Sequence, residues 1–322
     1  MPILLQQLVD ELPRDIEEKV KAAHKDHRDK IREALALHTR MMLRRFDADL
    51  YGGGQYETIN IGVAVRPGLP APLLPRDKQE IDDQHRLALL LGPYRRELLG
   101  LRDHGHAIAH KLIPKMRREP VAHPLLTGQE RTVEDAFGFA SSLLDRLNKF
   151  QLTQFILKID QDVLGIYDYG GAEPKIELYW GIIGLVARDL DVSVEALTCV
   201  VLAHEFAHAF THVGSDANHL SWDSSEFQQT AHEVKEGLAQ YFTVLVCRQI
   251  KVRDAHDAYE KLLEHQPEAY RVHLKWSAKP ENVRLAMLKM RRASQQQRSL
   301  LLFERFLADA AAQLDAGMAQ HA

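Results

Sequence analysis

One stretch of the sequence limits the fold more than any other: Thr198–His212, which reads TCVVLAHEFAHAFTH and is apolar nearly all round. Wound at 3.6 residues per turn, Leu197, Val200, Val201, Leu202, Ala203, Phe206, Ala207, Phe210 and Val213 leave no solvent-facing stripe. Such a helix has to be buried, so the rest of the chain must wrap it. Yet it carries His204, Glu205 and His208, and three ionisable groups in an apolar setting are costly unless something compensates them. On a helix the two histidines lie one turn apart on one face, near enough to share an ion. Glu205 is turned about 100° from His204, beside such an ion rather than on it, where a base can take a proton from metal-bound water. The opposing reading, two core histidines bonded to backbone and a glutamate in an ion pair, must satisfy all three groups without a cation.

Composition points the same way. Seventeen histidines among 322 residues is a high count for the length. The only cysteines, Cys199 and Cys247, sit in apolar helical surroundings, which excludes a disulfide scaffold and fits a reducing compartment. Both are set away from the histidine pair by helix geometry and read as small core residues rather than ligands. A net charge of −4 provides no global field for nucleic acid or anionic lipid. No run of eighteen apolar residues occurs, and the first residues turn acidic without a basic leader, so the expectation is a cytoplasmic protein without a membrane partner.

Along the chain, Asp15 to about Asp47 reads as one long amphipathic helix and Tyr56–Val65 as a strand. Proline-rich residues 67–75 form a loop, and helical patterns follow over about Lys78–Leu101 and Thr132–Phe150. Residues 155–159 (FILKI) and 163–169 (VLGIYDY) read as strands, with a hairpin through Gly170-Gly171 into Lys175–Trp180. A short helix near Gly181–Arg188 precedes the apolar helix, whose N-terminus Asp191 or Ser193 caps. A polar loop, a helix over about Ser225–Ile250 and further helices broken near Pro267 and Pro280 complete the chain. The expected fold class is α+β, predominantly helical, divided as 1–125 (helical), 126–250 (core) and 251–322 (helical).

A tetrahedral zinc that keeps an open position needs a third protein ligand. In Ala231–Val246 (AHEVKEGLAQYFTVLV), Gln229, His232, Glu233, Gln240 and Thr243 fall within about 60° of Glu236, while Val234, Leu238, Tyr241 and Leu245 form the opposite, packing stripe. Gly237 leaves room for another backbone to approach. The pair HEFAH and Glu236-Gly237-Leu238-Ala239-Gln240-Tyr241 resembles the gluzincin metallopeptidases of the peptidase MA-like group, whose second motif commonly reads Glu-Gly-x-Ala-x-Tyr. The resemblance spans roughly Ile156–Ile250 and departs from the pattern at Glu233-Val234-Lys235, where relatives often carry Trp-Leu. It implies a zincin-like core with a small sheet, one Zn²⁺ held by His204, His208 and Glu236, and Glu205 as general base. Glu233 stays a rival to Glu236.

By that resemblance the chain is a zinc metallopeptidase acting on a peptide or protein substrate, with a Glu-assisted attack of zinc-bound water. Gluzincins take an oxyanion donor from a Tyr or His; His232 lies on the right face, whereas Tyr241 faces the packing side. Gln240 or Glu233 would orient a ligand histidine. A substrate strand would add to a sheet edge, for which the sequence offers Lys175–Trp180 with Tyr179 and Trp180 as pocket residues. His212 is two turns from His204, about 12 Å along the axis and too far to share its ion. Asp216, His219 and Asp223 read as a polar loop, and His104, His106 and His110 as a solvated surface. Two alternatives stand beside the protease: an inert zinc-stabilised scaffold or regulatory binding protein, and a narrow-specificity zincin toxin or effector. For the scaffold, Lys289, Arg291, Arg292 and Arg298 would offer a basic face; a solvated face is the better reading, and nucleic acid is not an expected partner.

Overall fold

The computed structural model describes residues 9–10, 12–47, 55–73, 95–107, 110–111, 114, 129–149, 156–157, 162–171, 173–276, 279–293 and 298–319. In chain order the elements are α1 (Ile16–Thr39), β1 (Arg44–Asp47), β2 (Gln55–Thr58), β3 (Gly62–Arg66), α2 (Arg95–Ala107), α3 (Gln129–Lys149), β4 (Gly165–Asp168), β5 (Lys175–Tyr179), α4 (Trp180–Asp189) and α5 (Val194–His212). They continue with α6 (Ser224–Gln229), α7 (His232–Gln249), α8 (Ala255–His265), α9 (Glu268–Arg271), a 3-10 turn (Val272–Lys275), α10 (Pro280–Arg291) and α11 (Leu300–Ala319). The fold is α+β and mostly helical with little sheet, and no described helix is long and apolar enough to cross a membrane.

Contacts divide the chain into two units, Met1–Glu11 with Leu73–Leu152, and Leu12–Pro72 with Thr153–Ala322. In the first, α2 packs on α3, with Phe137 against Gly105. The expected helix from Lys78 is seen over 95–107; residues 78–94 lie outside the described residues.

The second unit is built around α5, whose residues Ala196–His212 are all buried. Its start is fixed by Ser193, whose hydroxyl accepts from the Ala196 amide at 3.0 Å; Asp191, the other candidate cap, takes a left-handed φ of 50° instead. α5 packs chiefly on α1 and α7, with α8 and β4 also in contact. α1 buries Ile16, Val20, Ala23, His27, Ile31, Ala34 and Leu35 at helical spacing, and His27 Nε2 lies 2.7 Å from Glu195 Oε1 at the head of α5.

Several sequence expectations are corrected. α1 ends at Thr39, where Arg40 turns left-handed (φ 56°), and Arg44–Asp47 is a strand paired with β2. Tyr56–Val65 is two strands because its halves have different partners: β2 pairs with β1 and β3 with β5. In the three-stranded sheet of order β3-β5-β4, β5 runs parallel to β3 and antiparallel to β4, as the expected hairpin requires. Lys175–Tyr179 is thus the central strand, with ladders on both sides, and cannot serve as the substrate edge. Ile156 and Leu157 of the FILKI segment are helical. Ser225–Ile250 breaks into α6 and α7 at Thr230-Ala231, where the Ala231 amide donates to the Arg298 carbonyl rather than into a continuous helix.

The basic face is also corrected. Arg291 is buried and donates to the carbonyls of Thr211 (2.6 Å), Gly214 (2.9 Å), Leu220 (3.0 Å) and Phe210 (3.4 Å). It satisfies carbonyls that the end of α5 leaves open, and its positive charge sits at the negative end of that helix. Arg298 is buried too, 2.9 Å from Glu226 on α6. Neither belongs to a solvated face.

Candidate metal centre

Helical spacing brings the Nε2 atoms of His204 and His208 to 3.1 Å of each other, with ring planes near perpendicular. From α7, Glu236 extends Oε2 to 3.2 Å from His204 Nε2 and 3.4 Å from His208 Nε2, without hydrogen-bond geometry to either. Ligands bonded at ~2.05 Å to a tetrahedral zinc are separated by about 3.3 Å, so this triangle has the dimensions of a metal's ligand face. Three acceptors turned on one point repel unless a proton or a cation lies between them. A divalent cation fits this donor set, while imidazole and carboxylate donors suit several transition metals besides zinc.

A fourth group joins them. Asp162, just before β4, places Oδ1 3.5 Å from His204 Nε2 and Oδ2 3.8 Å from His208 Nε2; the ligand atoms of Asp162, His204, His208 and Glu236 all lie within 4.8 Å of one another. The hydroxyl of Tyr270, on α9, donates to Asp162 Oδ1 at 2.8 Å. Neither residue stands out from sequence pattern or spacing.

Glu205 is buried at 1% exposure, and its Oε2 has no hydrogen-bond partner. It accepts from the backbone amide of Tyr167 on β4, and it lines one pocket with Asp162, His204, Gln240 and Tyr270. Gly165 makes that approach feasible: a Cβ there would stand 2.9 Å from both Glu205 Cγ and Oε1. Gly237 serves a different purpose from the expected backbone approach, because the Trp276 and Val272 side chains fill the space, each 2.6 Å from where a Cβ would be.

Electrostatics follow from this crowding. Burial, with the charge of Asp162 adding to it, pushes the Glu205 carboxyl well above the usual carboxylate range. Burial likewise opposes ionisation of Glu236, but His208 and His204 outweigh it and hold that carboxyl well below its ordinary value. For His204 burial opposes protonation, and Asp162 and Glu236 overcome it, raising the imidazole well above its ordinary value. Burial and the neighbouring Asp162 raise the Tyr270 hydroxyl far above an ordinary phenol, so it stays a donor.

His204, His208 and Glu236 thus meet at one point, whereas Glu233 is exposed and outside the group. His232 Nδ1 lies 3.5 Å from Glu236 Oε1. Gln240 donates to Gln266 at 3.0 Å, and His204 Nδ1 has no partner, so neither Gln240 nor Glu233 orients that ring by a hydrogen bond. Tyr241 packs by Phe242 and Trp276. His212 is 3.1 Å from the Tyr167 hydroxyl and stacks on Phe227. Asp223 caps α6, Asp216 accepts from the amides of Asn218 and Leu220, and His219 meets Tyr56. Cys199 and Cys247 are buried and free. His104 and His110 are exposed in the other unit; the side chain of His106 lies outside the described residues.

Compared with family models, curated proteins and solved structures, the chain matches none.

Proposed function

We propose that this chain is a zinc-dependent metallopeptidase of gluzincin type, with a zincin-like core formed by the β3-β5-β4 sheet, α5 and α7. One observation carries the reading: the triangle of His204, His208 and Glu236, with edges of 3.1 to 3.4 Å, beside the buried, unpartnered Oε2 of Glu205. A bound zinc ion would supply Lewis acidity for a scissile carbonyl and lower the pKa of a coordinated water. Glu205 takes the water proton at Oε2 and passes it to the leaving amine. Its raised affinity for protons suits the second of these tasks. Gly165 and the Tyr167 amide hold that carboxylate in place.

Tyr270 is better placed than His232 as oxyanion donor, since its hydroxyl already donates to an anionic oxygen 3.5 Å from His204 Nε2. His232, against the second oxygen of Glu236, steadies that ligand. Among the described residues β4 pairs only with β5, so its outer edge, next to Glu205, takes over the role that the resemblance gave to Lys175–Trp180.

Asp162 favours a second reading, a metal-stabilised scaffold, because a metal with four protein ligands has no open position. Metal analysis with a proteome-wide cleavage screen separates the two. Wild type and Glu205→Gln are expected to hold one zinc each, with hydrolysis about 10²–10⁴-fold lower in the variant. Equal cleavage by both, or none by wild type, would overturn the protease reading.

A further inference from the structure

The centre holds one carboxylate more than a three-ligand catalytic site uses. Asp162 faces the histidine pair with both oxygens, at 3.5 and 3.8 Å. The two Asp162–histidine spacings suit zinc, whose ligands sit about 3.3 Å apart in a tetrahedron and up to about 4 Å apart when a fifth is added, and the 4.8 Å span of the whole group would contract by under ~1 Å around a bound ion. The carboxylate is also held. Tyr270, 2% exposed, donates to Oδ1 and lies with its ring 5.9 Å from that of His204, 24° from parallel, so its hydroxyl cannot turn away without unpacking.

We propose that Asp162 is a fourth protein ligand of the metal, fixed by Tyr270, and that it occupies the coordination position a substrate oxygen requires. The inference rests on the metal-binding reading of His204, His208 and Glu236, and it makes the resting site a closed one. The space beside the centre, bounded by Asp162, His204, Glu205, Gln240 and Tyr270, amounts to about 30 Å³. That admits a water molecule or two. Substrate would therefore enter by exchange, Asp162 giving up to the carbonyl oxygen the position it would hold on a bound metal. No covalent bond is made or broken in that step. Tyr270, released from Asp162, is then free to donate to the incoming oxygen. An anionic carboxylate outcompetes a neutral carbonyl for a dication, so the closed form dominates until a well-bound substrate offsets the difference.

The test uses metal-stripped full-length protein and reads binding rather than turnover. Zinc affinity is measured by competition with a chromogenic chelator, and azide is titrated into the cobalt-substituted protein while its visible spectrum is followed. Asp162→Asn should bind zinc about 10–100-fold more weakly, as expected when a carboxylate around a metal is lost. It should bind azide at least about tenfold more tightly, because the position azide needs is already vacated. Tyr270→Phe, which keeps the carboxylate but frees it, should move both quantities in the same directions by less; it also serves if Asp162→Asn folds poorly by circular dichroism. Wild-type zinc and azide affinities in both variants, with zinc binding weakened more than 100-fold in His204→Ala, would overturn the proposal and leave a three-ligand centre standing. Failure of wild type to bind any metal would overturn the proposal and the centre together. Absence of peptide hydrolysis bears on the protease reading alone.

Discussion

Two segments of this chain each carry three closely spaced histidines, and only one of them makes a candidate metal centre. His106 and His110 stand four residues apart, the spacing of His204 and His208, yet His104 and His110 face solvent. His204, His208 and His212 repeat every fourth residue along the buried α5, and carboxylates from two distant parts of the chain meet the first pair. The contrast shows that histidine number matters little. What matters is burial that removes water as an alternative partner, and acids delivered from elsewhere in the fold.

The sharpest way to break this contrast is substitution on both sides of it. His204→Ala should lower metal affinity by about 3 kcal/mol, more than 100-fold, being about a quarter of the ~10–16 kcal/mol available to a four-ligand zinc site. His104→Ala and His110→Ala should change nothing in the same chelator competition. Next in size is the support of α5 itself. Arg291→Met keeps apolar bulk but removes four donated hydrogen bonds at the end of that helix, and should cost about 3 kcal/mol in urea unfolding.

The smallest expected effect is on pH dependence. Burial, reinforced by Arg291, pushes the His212 imidazole down to about 4, and burial alone does most of the same for His273. In the unfolded chain both titrate near ~6.5, so between these values the unfolded state binds more protons. Their contribution to stability should thus be flat above pH ~6.5 and fall as pH drops below it, by about 2 kcal/mol for each histidine at pH ~5. Asn at either position should flatten that slope.

What could be seen in the sequence was local. Ser193 as a cap, the shared face of His204 and His208, and the inward position of Glu236 all follow from 3.6-residue periodicity, which holds whatever else the chain does. What could not be seen depends on partners far along the chain. Asp162 comes from an irregular stretch and Tyr270 from a single helical turn after Pro267, where no period marks which way a side chain points. The division of Tyr56–Val65 at Ile59–Ile61 reflects a choice of neighbours, as does the break before Ala231. Arg291 and Arg298 read as solvated because long basic side chains usually are; only the open carbonyls at the end of α5 and the acid on α6 explain their burial.

The Arg291 contacts also bear on how the protein can be cut down. Phe210 and Thr211 belong to the helix of the histidine pair, while the guanidinium that holds their carbonyls arrives some eighty positions later. A shortened version stopping after α7 would keep every side chain of the candidate metal centre and still strand that helix terminus among apolar neighbours. The tail is a structural component of the centre, so any portable version of it must include α10.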